Sequence, residues 1–234
     1  DADQAATTVT FASTSTVNAT SAGTQGLTIN TGAGNISMGG AIGGTTKLKD
    51  LSINSATTGA GDITLANIGS STDGVHGATS IGNANTGTIN LNGSVYKTTG
   101  SQTYQASATG DDTGNNINIA NTVTFTTTDT NIKFETSDVE LADNVSLTVT
   151  TGGSTAGDIE FEGSIHGTTG GTDATHIAGL TSGTGTVTLN AIDTDIEDIT
   201  ITNASAGSTI LKGNITTANN GVLSITGDLS LIHI

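Results

Sequence analysis

The sequence predicts an all-β fold, a single-chain β-solenoid of about ten irregular coils, on three observations. Short runs of alternating apolar and polar residues recur along the whole chain. No window of comparable length shows helical spacing of apolar residues. One strand-and-turn unit is written twice, as TGAGNISMGG at 31–40 and TGAGDITLAN at 58–67, each shortly after LTIN or LSIN. Composition agrees. Of 234 residues, 33 are Gly, none is Pro, Cys or Trp, and only 3% are aromatic. About one residue in five is Thr, far above ordinary usage. Gly, Thr and other β-branched residues are poor helix formers, and the β-branched ones suit a pleated surface. A narrow interior filled by Ile, Val and Leu, with little room for aromatics, fits these numbers.

In chain order, the alternation marks strands at VTF (9–11), LTIN (27–30), NISM (35–38), LSIN (51–54), DITL (62–65), TINLNGSV (88–95), NINIA (116–120), TVTFTTT (122–128) and NIKFE (131–135). It continues through DVEL (138–141), SLTVT (146–150), DIEFEGSI (158–165), TVTLNAI (186–192), ITIT (199–202), TILKGNIT (209–216) and VLSITGDLSL (222–231). In DIEFE, Ile159 and Phe161 share one face and Glu160 and Glu162 the other. In NIKFE, Ile132 and Phe134 oppose Lys133 and Glu135. A slip of one residue buries those charges, so the register is firmly specified.

The doubled unit supplies a period: 24 residues from Leu27 to Leu51 and 27 from Gly34 to Gly61, the extra three being Ser55-Ala56-Thr57. A degenerate repeat of that length is the mark of a solenoid, whose units bury their apolar faces only by stacking. About ten coils at ~4.8 Å each make a rod roughly 45–50 Å long. Ile36 and Ile63 are then expected one above the other, with Asn35 and Asp62 in a column at the turn. Gly32, Gly34, Gly59 and Gly61 are expected at corners with positive φ. The alternative fold is a β-sandwich pilin-like subunit joined by strand exchange, which also yields many short strands. No linker or change of composition divides the chain, so 1–234 reads as a single domain, less regular over 1–20.

The runs LTINTGAGNISMGGAIGGTTKLKDLSIN (27–54), GSVYKTTGSQTY (93–104) and KGNITTANNGVLSITGDLSL (212–231) resemble the strand repeats of filamentous-haemagglutinin-like and autotransporter-like bacterial surface proteins. The resemblance covers most of the chain and is weakest over the first 20 residues and around 105–115. It implies a right-handed parallel β-helix, export to the cell exterior, an adhesive or scaffolding role and no catalytic residue. Asp1-Ala2-Asp3 is expected to be a mature amino terminus. The final LSLIHI (229–234) is similar to the peptide read from a common sequencing adapter, so a non-native end is expected there.

The formal charge of −16 comes from 21 acidic residues against Lys47, Lys49, Lys97, Lys133 and Lys212. No basic stripe exists to displace counterions, which excludes nucleic acid as a partner. No run approaches the roughly 18 apolar residues of a membrane helix.

Asp193, Asp195 and Glu197 are expected to alternate along one strand, with Ile192 and Ile196 pointing in, and to offer oxygens to Ca²⁺. Asp111 and Asp112 form a second candidate in a loop. A solvated acidic edge is the favoured reading, because neither EF-hand nor nonapeptide spacing is present. Thr-x-Thr recurs at 8–10, 86–88, 122–126, 148–150, 184–188 and 200–202, a pattern similar to that of ice-binding solenoids. Starts at 122, 148, 184 and 200 step unevenly, which predicts pairs out of register. His76, His166 and His176 lie in turns without metal or nucleophile spacing. Six glycosylation sequons, at Asn18, Asn35, Asn92, Asn144, Asn203 and Asn214, are as many as this composition produces by chance.

The ends carry the functional expectation. Strand-like sequence at Thr7, Thr8, Val9, Thr10 and Phe11, and again at Val222, Leu223, Ser224, Ile225 and Leu229, leaves edge strands open to pairing. The expected function is a non-enzymatic, secreted or cell-surface structural protein, a homo-polymer built head to tail through its terminal strands or a segment of an adhesin stalk. An adhesin module binding a glycan, cation or surface is the second reading. A carbohydrate-active β-helix enzyme is the third, weakened by the absence of Arg and the scarcity of aromatic platforms.

Overall fold

A computed structural model describes residues 7–56, 59, 61–107, 116–152, 157–168, 175–193, 195–204 and 206–231. These residues form three parallel sheets and no helix. The chain winds through them in order, a β-solenoid as expected, which excludes the sandwich.

The first coil contributes β1 (Val9–Phe11) and β2 (Leu27–Ile29), the second β3 (Ile36–Met38) and β4 (Leu51–Ile53), and the third β5 (Ile63–Leu65) and β6 (Thr79–Gly82). From the fourth coil to the seventh each turn gives three strands: β7 (Ile89–Leu91), β8 (Val95–Lys97) and β9 (Gln102–Gln105), then β10 (Ile117–Ile119), β11 (Val123–Thr126) and β12 (Ile132–Glu135). Next come β13 (Val139–Leu141), β14 (Ser146–Thr150) and β15 (Ile159–Phe161), followed by β16 (Ile165–Gly167), β17 (His176–Gly183) and β18 (Thr186–Leu189). The last two coils hold β19 (Ile199–Asn203) and β20 (Ser208–Leu211), then β21 (Leu223–Thr226) and β22 (Asp228–Leu231).

Sheet A runs β1-β3-β5-β7-β10-β13-β16, sheet B β8-β11-β14-β17-β19-β21, and sheet C β2-β4-β6-β9-β12-β15-β18-β20-β22. The early coils meet sheet B through single bridges, Val17 to Ile42, Ile42 to Ile68 and Ile68 to Tyr96. Nine strand positions in sheet C mark eight turns, close to the ten coils expected, and at ~4.8 Å per turn the rod is about 40 Å long. Coil lengths along this sheet vary from 20 residues (Thr209 to Leu229) to 30 (Gln102 to Ile132). The strands stay in register because the loops absorb the difference.

One hydrophobic cluster fills the interior. Ile36, Ile63, Ile89 and Ile117 stack in sheet A as the doubled unit predicts. The expectation of little room for aromatics is corrected: of four Phe and two Tyr, all but Phe11 are fully buried. Tyr96 stacks on Phe125 with centroids 4.9 Å apart, and Tyr104, Phe134 and Phe161 form a second column at 5.3 and 4.5 Å. The two columns meet edge to face, as at Phe125–Phe134, 83°. Stacked coils place identical positions one strand spacing apart, which is ring-stacking distance.

The corners are held by side-chain amides and carboxylates. Asn35 Oδ1 accepts the Asp62 N–H at 2.9 Å, and Asp62 Oδ1 accepts the Thr88 N–H at 2.9 Å, confirming the expected column. Asn131, Asp158 and Thr186 repeat the device before β12, β15 and β18. Each acceptor takes an N–H entering the next coil, where the backbone would otherwise lack a partner.

The expected role of four glycines is corrected in part. Gly32 has φ +61°. Gly34 and Gly61 do not adopt positive φ; a Cβ on Gly61 would lie 2.1 Å from the Gly34 carbonyl oxygen, and one on Gly34 2.1 Å from that of Thr7. A Cβ on Gly59 would lie 2.0 Å from the Gly32 carbonyl carbon. These three are glycine because successive coils touch backbone to backbone.

Candidate functional site

The final coil differs from every other. Val222, Leu223, Leu229 and Leu231 are 63, 39, 48 and 62% exposed, and they are the exposed large hydrophobics among the described residues. Ser224 beside them is exposed and Ile225 half-buried. Among the described residues β21 pairs with β19 and β22 with β20, each on one side, so the outward edges have no strand partner. At the opposite end, among the described residues, β1 pairs only with β3 and β2 only with β4. Thr7, Thr8 and Thr10 are exposed there, while Val9 and Phe11 are half-buried. Thus all ten residues read as edge candidates lie in the first or last coil, and the apolar exposure is concentrated in the last.

The acidic segment is arranged differently from its expectation. Ile192 and Ile196 are buried, but the Ile196 N–H bonds the Asp193 carbonyl at 3.4 Å, and no strand runs between β18 and β19. The segment turns, so Asp193, Asp195 and Glu197 do not alternate along one strand face. Asp195 packs over Gly167, while Glu197 and Asp198 face His176 at 3.8 and 3.6 Å. Among the described residues no three His, Asp or Glu side chains gather as metal ligands. Asp111 and Asp112 lie outside the described residues. His166 is buried on sheet A opposite Glu140, and His76 is exposed beside Gly23. Of the sequons, Asn203 is buried and bonded to Ser182 and Thr209.

On the outside of sheet C, Lys133 Nζ reaches Glu162, Glu135 and Glu160 at 2.7, 3.3 and 3.5 Å, and Lys212 reaches Glu160 at 3.7 Å. The hydrogen bond from Lys133 holds the Glu162 carboxyl below the ordinary glutamate range, and the same bond raises Lys133. The inside and outside assignments of NIKFE and DIEFE stand.

Three of the Thr-x-Thr runs, at 122–126, 148–150 and 200–202, share sheet B, and one threonine of each falls in a single column despite the uneven count of their starts. Thr124 and Thr126 of β11 lie opposite Thr148 and Thr150 of β14, Thr150 opposite Thr181, Thr181 opposite Thr202, and Thr202 opposite Thr226. Residue intervals misled because loops of unequal length join strands of equal register. The pair at 184–188 belongs to the turn into β18, on sheet C.

Against protein-family models, curated proteins and solved structures the chain finds no match. Among the described residues no helix is long and apolar enough to cross a membrane.

Proposed function

We propose that the chain is a non-enzymatic structural module of a secreted or cell-surface protein, of the filamentous-haemagglutinin-like type its repeats resemble. It extends by placing the first coil of a second copy on its last coil. The observation that carries this reading is the apolar exposure of Val222, Leu223, Leu229 and Leu231 on an unpaired strand edge. Sheet C presents a strand at both ends, Leu27–Ile29 at one and Asp228–Leu231 at the other, while the remaining end strands lie in different sheets, Val9–Phe11 in sheet A and Leu223–Thr226 in sheet B. A copy displaced along the axis therefore continues sheet C in parallel, β2 of one copy on β22 of the other. Pairing of unlike ends does not close, so it propagates as a fibre.

Sedimentation and electron microscopy of the purified chain test it. Association should rise with concentration and give fibres of uniform width. Leu231→Lys with Val222→Lys, at positions that bury little in the single chain, should leave isolated rods. Isolated rods of unaltered protein at every concentration would overturn the reading.

A further inference from the structure

Thr126, Thr150, Thr181, Thr202 and Thr226 form an unbroken column on the outside of sheet B, one per coil over five coils. Two residues earlier, Thr124 stands opposite Thr148, and Thr200 opposite Ser224, with Gly179 opposite Thr148 on β17. The bulge that admits Ala178 interrupts this second column but not the first. The residues between them, Phe125, Val149, Leu180 and Ile201, are fully buried and fix the threonines outward.

Three properties separate this face from the other two. First, the two threonine columns themselves carry no charge in a chain of net charge −16, the ionisable side chains at their margins being Lys97, His176 and Asp198, while sheet C carries Lys133, Glu135, Glu160 and Glu162 outward. Second, among the described residues no hydrogen bond joins the hydroxyls of the two columns to the protein, whereas the buried hydroxyls of Thr98, Thr127, Thr151 and Ser182 are all bonded. Third, the hydroxyls and methyls repeat at ~4.8 Å from coil to coil in the first column, with a second threonine ~6.6 Å away along β11, β14 and β19, a rigid grid with a gap at Gly179 and a methyl missing at Ser224. Threonine is stiff at χ1, so the grid is ordered before anything binds.

We propose that the outer face of sheet B binds ordered water and, through it, the surface of ice. The ligand such a face fits is flat, neutral and periodic at the spacing of the coils. Hydroxyls at these spacings donate to and accept from lattice waters, and the methyls between them fill the gaps of that lattice without competing hydrogen bonds. A crystalline polysaccharide fits less well, because flat sugar faces are gripped by exposed rings, and Tyr96, Tyr104, Phe125, Phe134 and Phe161 are all inside.

The test measures thermal hysteresis and partition of the full chain into a growing ice front. The unaltered protein should open a gap between melting and freezing and concentrate in the ice. Thr150→Tyr with Thr181→Tyr should abolish both, while Thr28→Tyr, the same bulk on exposed sheet C, should preserve them. Equal melting temperatures of the three proteins verify that the fold survives. Thr181→Val, which keeps the shape and removes one hydroxyl, should weaken the effect without changing stability. Absence of hysteresis and of partition in the unaltered protein overturns the proposal. So does equal loss in the Thr28 variant, or a Thr150/Thr181 change that alters only association between copies in sedimentation.

Discussion

At the scale of single residues, burial and charge are decided by position in the coil rather than by residue type. Glu162 sits on the outside of sheet C with Lys133 Nζ 2.7 Å away and the Thr136 N–H donating at 3.2 Å. Its carboxyl is held below the ordinary value of about 4.3. A depressed folded value means that the contribution is present above that ordinary value and is lost as pH falls through the folded one. Lys133, raised by the same bond, stays charged throughout. The side chains are about one-third exposed, so the pair is worth about 1 kcal/mol at most. Glu162→Gln should therefore lower Tm by about 2–4 °C at neutral pH. The difference should shrink at acid pH, as pH falls below the ordinary glutamate value and through the depressed folded one. Thermal melts of both proteins at the two pH values check this, and an equal difference at both would refute the assignment. The alternation that put Glu162 outside was legible in DIEFE and NIKFE. Its partner was not, because Lys133 and Glu162 are 29 residues apart and only coil stacking brings them together.

At the scale of strands and corners, the backbone of one coil is the wall of the next. The doubled TGAG unit showed that glycines recur at corresponding places, but sequence spacing does not distinguish a glycine kept for φ from one kept for clearance. Gly61 belongs to the second kind, since a Cβ there would lie 2.1 Å from the Gly34 carbonyl oxygen. That oxygen is backbone and cannot move without parting β3 from β5. Gly61→Ala should cost about 1–3 kcal/mol, the usual penalty of overpacking. Gly32→Ala meets the different penalty of a strained αL residue. Chemical denaturation checks the first, and a change below ~0.5 kcal/mol, the level of ordinary surface substitutions, would show that the coils separate freely there. Strands missed from sequence have their own physical reasons. β9, QTYQ, reads as polar, yet Gln102 is buried with its amide donating to the Tyr96 and Thr126 carbonyls and its Oε1 accepting from Tyr104. β17, HIAGLTSG, loses its alternation to the bulge at Ala178. The threonine face escaped for the converse reason: its strands were each legible, but the register that joins them is a property of neighbouring coils.

At the scale of the whole molecule, a solenoid is a one-dimensional stack in which each coil is stabilised by its two neighbours. Interior coils have both; the last has one. The stack is also uneven along its length, because the ring columns of Tyr96, Phe125, Tyr104, Phe134 and Phe161 anchor the fourth to sixth coils, while β21 and β22 leave their leucines in solvent. Opening should then begin at residues 222–231 and stop before the rings. Amide exchange measures this directly, since local opening lowers protection below the global limit. Amides of β21 and β22 should exchange well before those of β11, β12 and β15. Repeating the measurement at high protein concentration separates two origins of that fraying. If a second copy seats its first coil on this end, protection should rise selectively in β22 and in β1 and β2, with the ring-bearing coils unchanged. Uniform protection along the rod would contradict the one-dimensional account. A selective rise at one end alone would contradict head-to-tail pairing, because the contact joins unlike ends and must register on both.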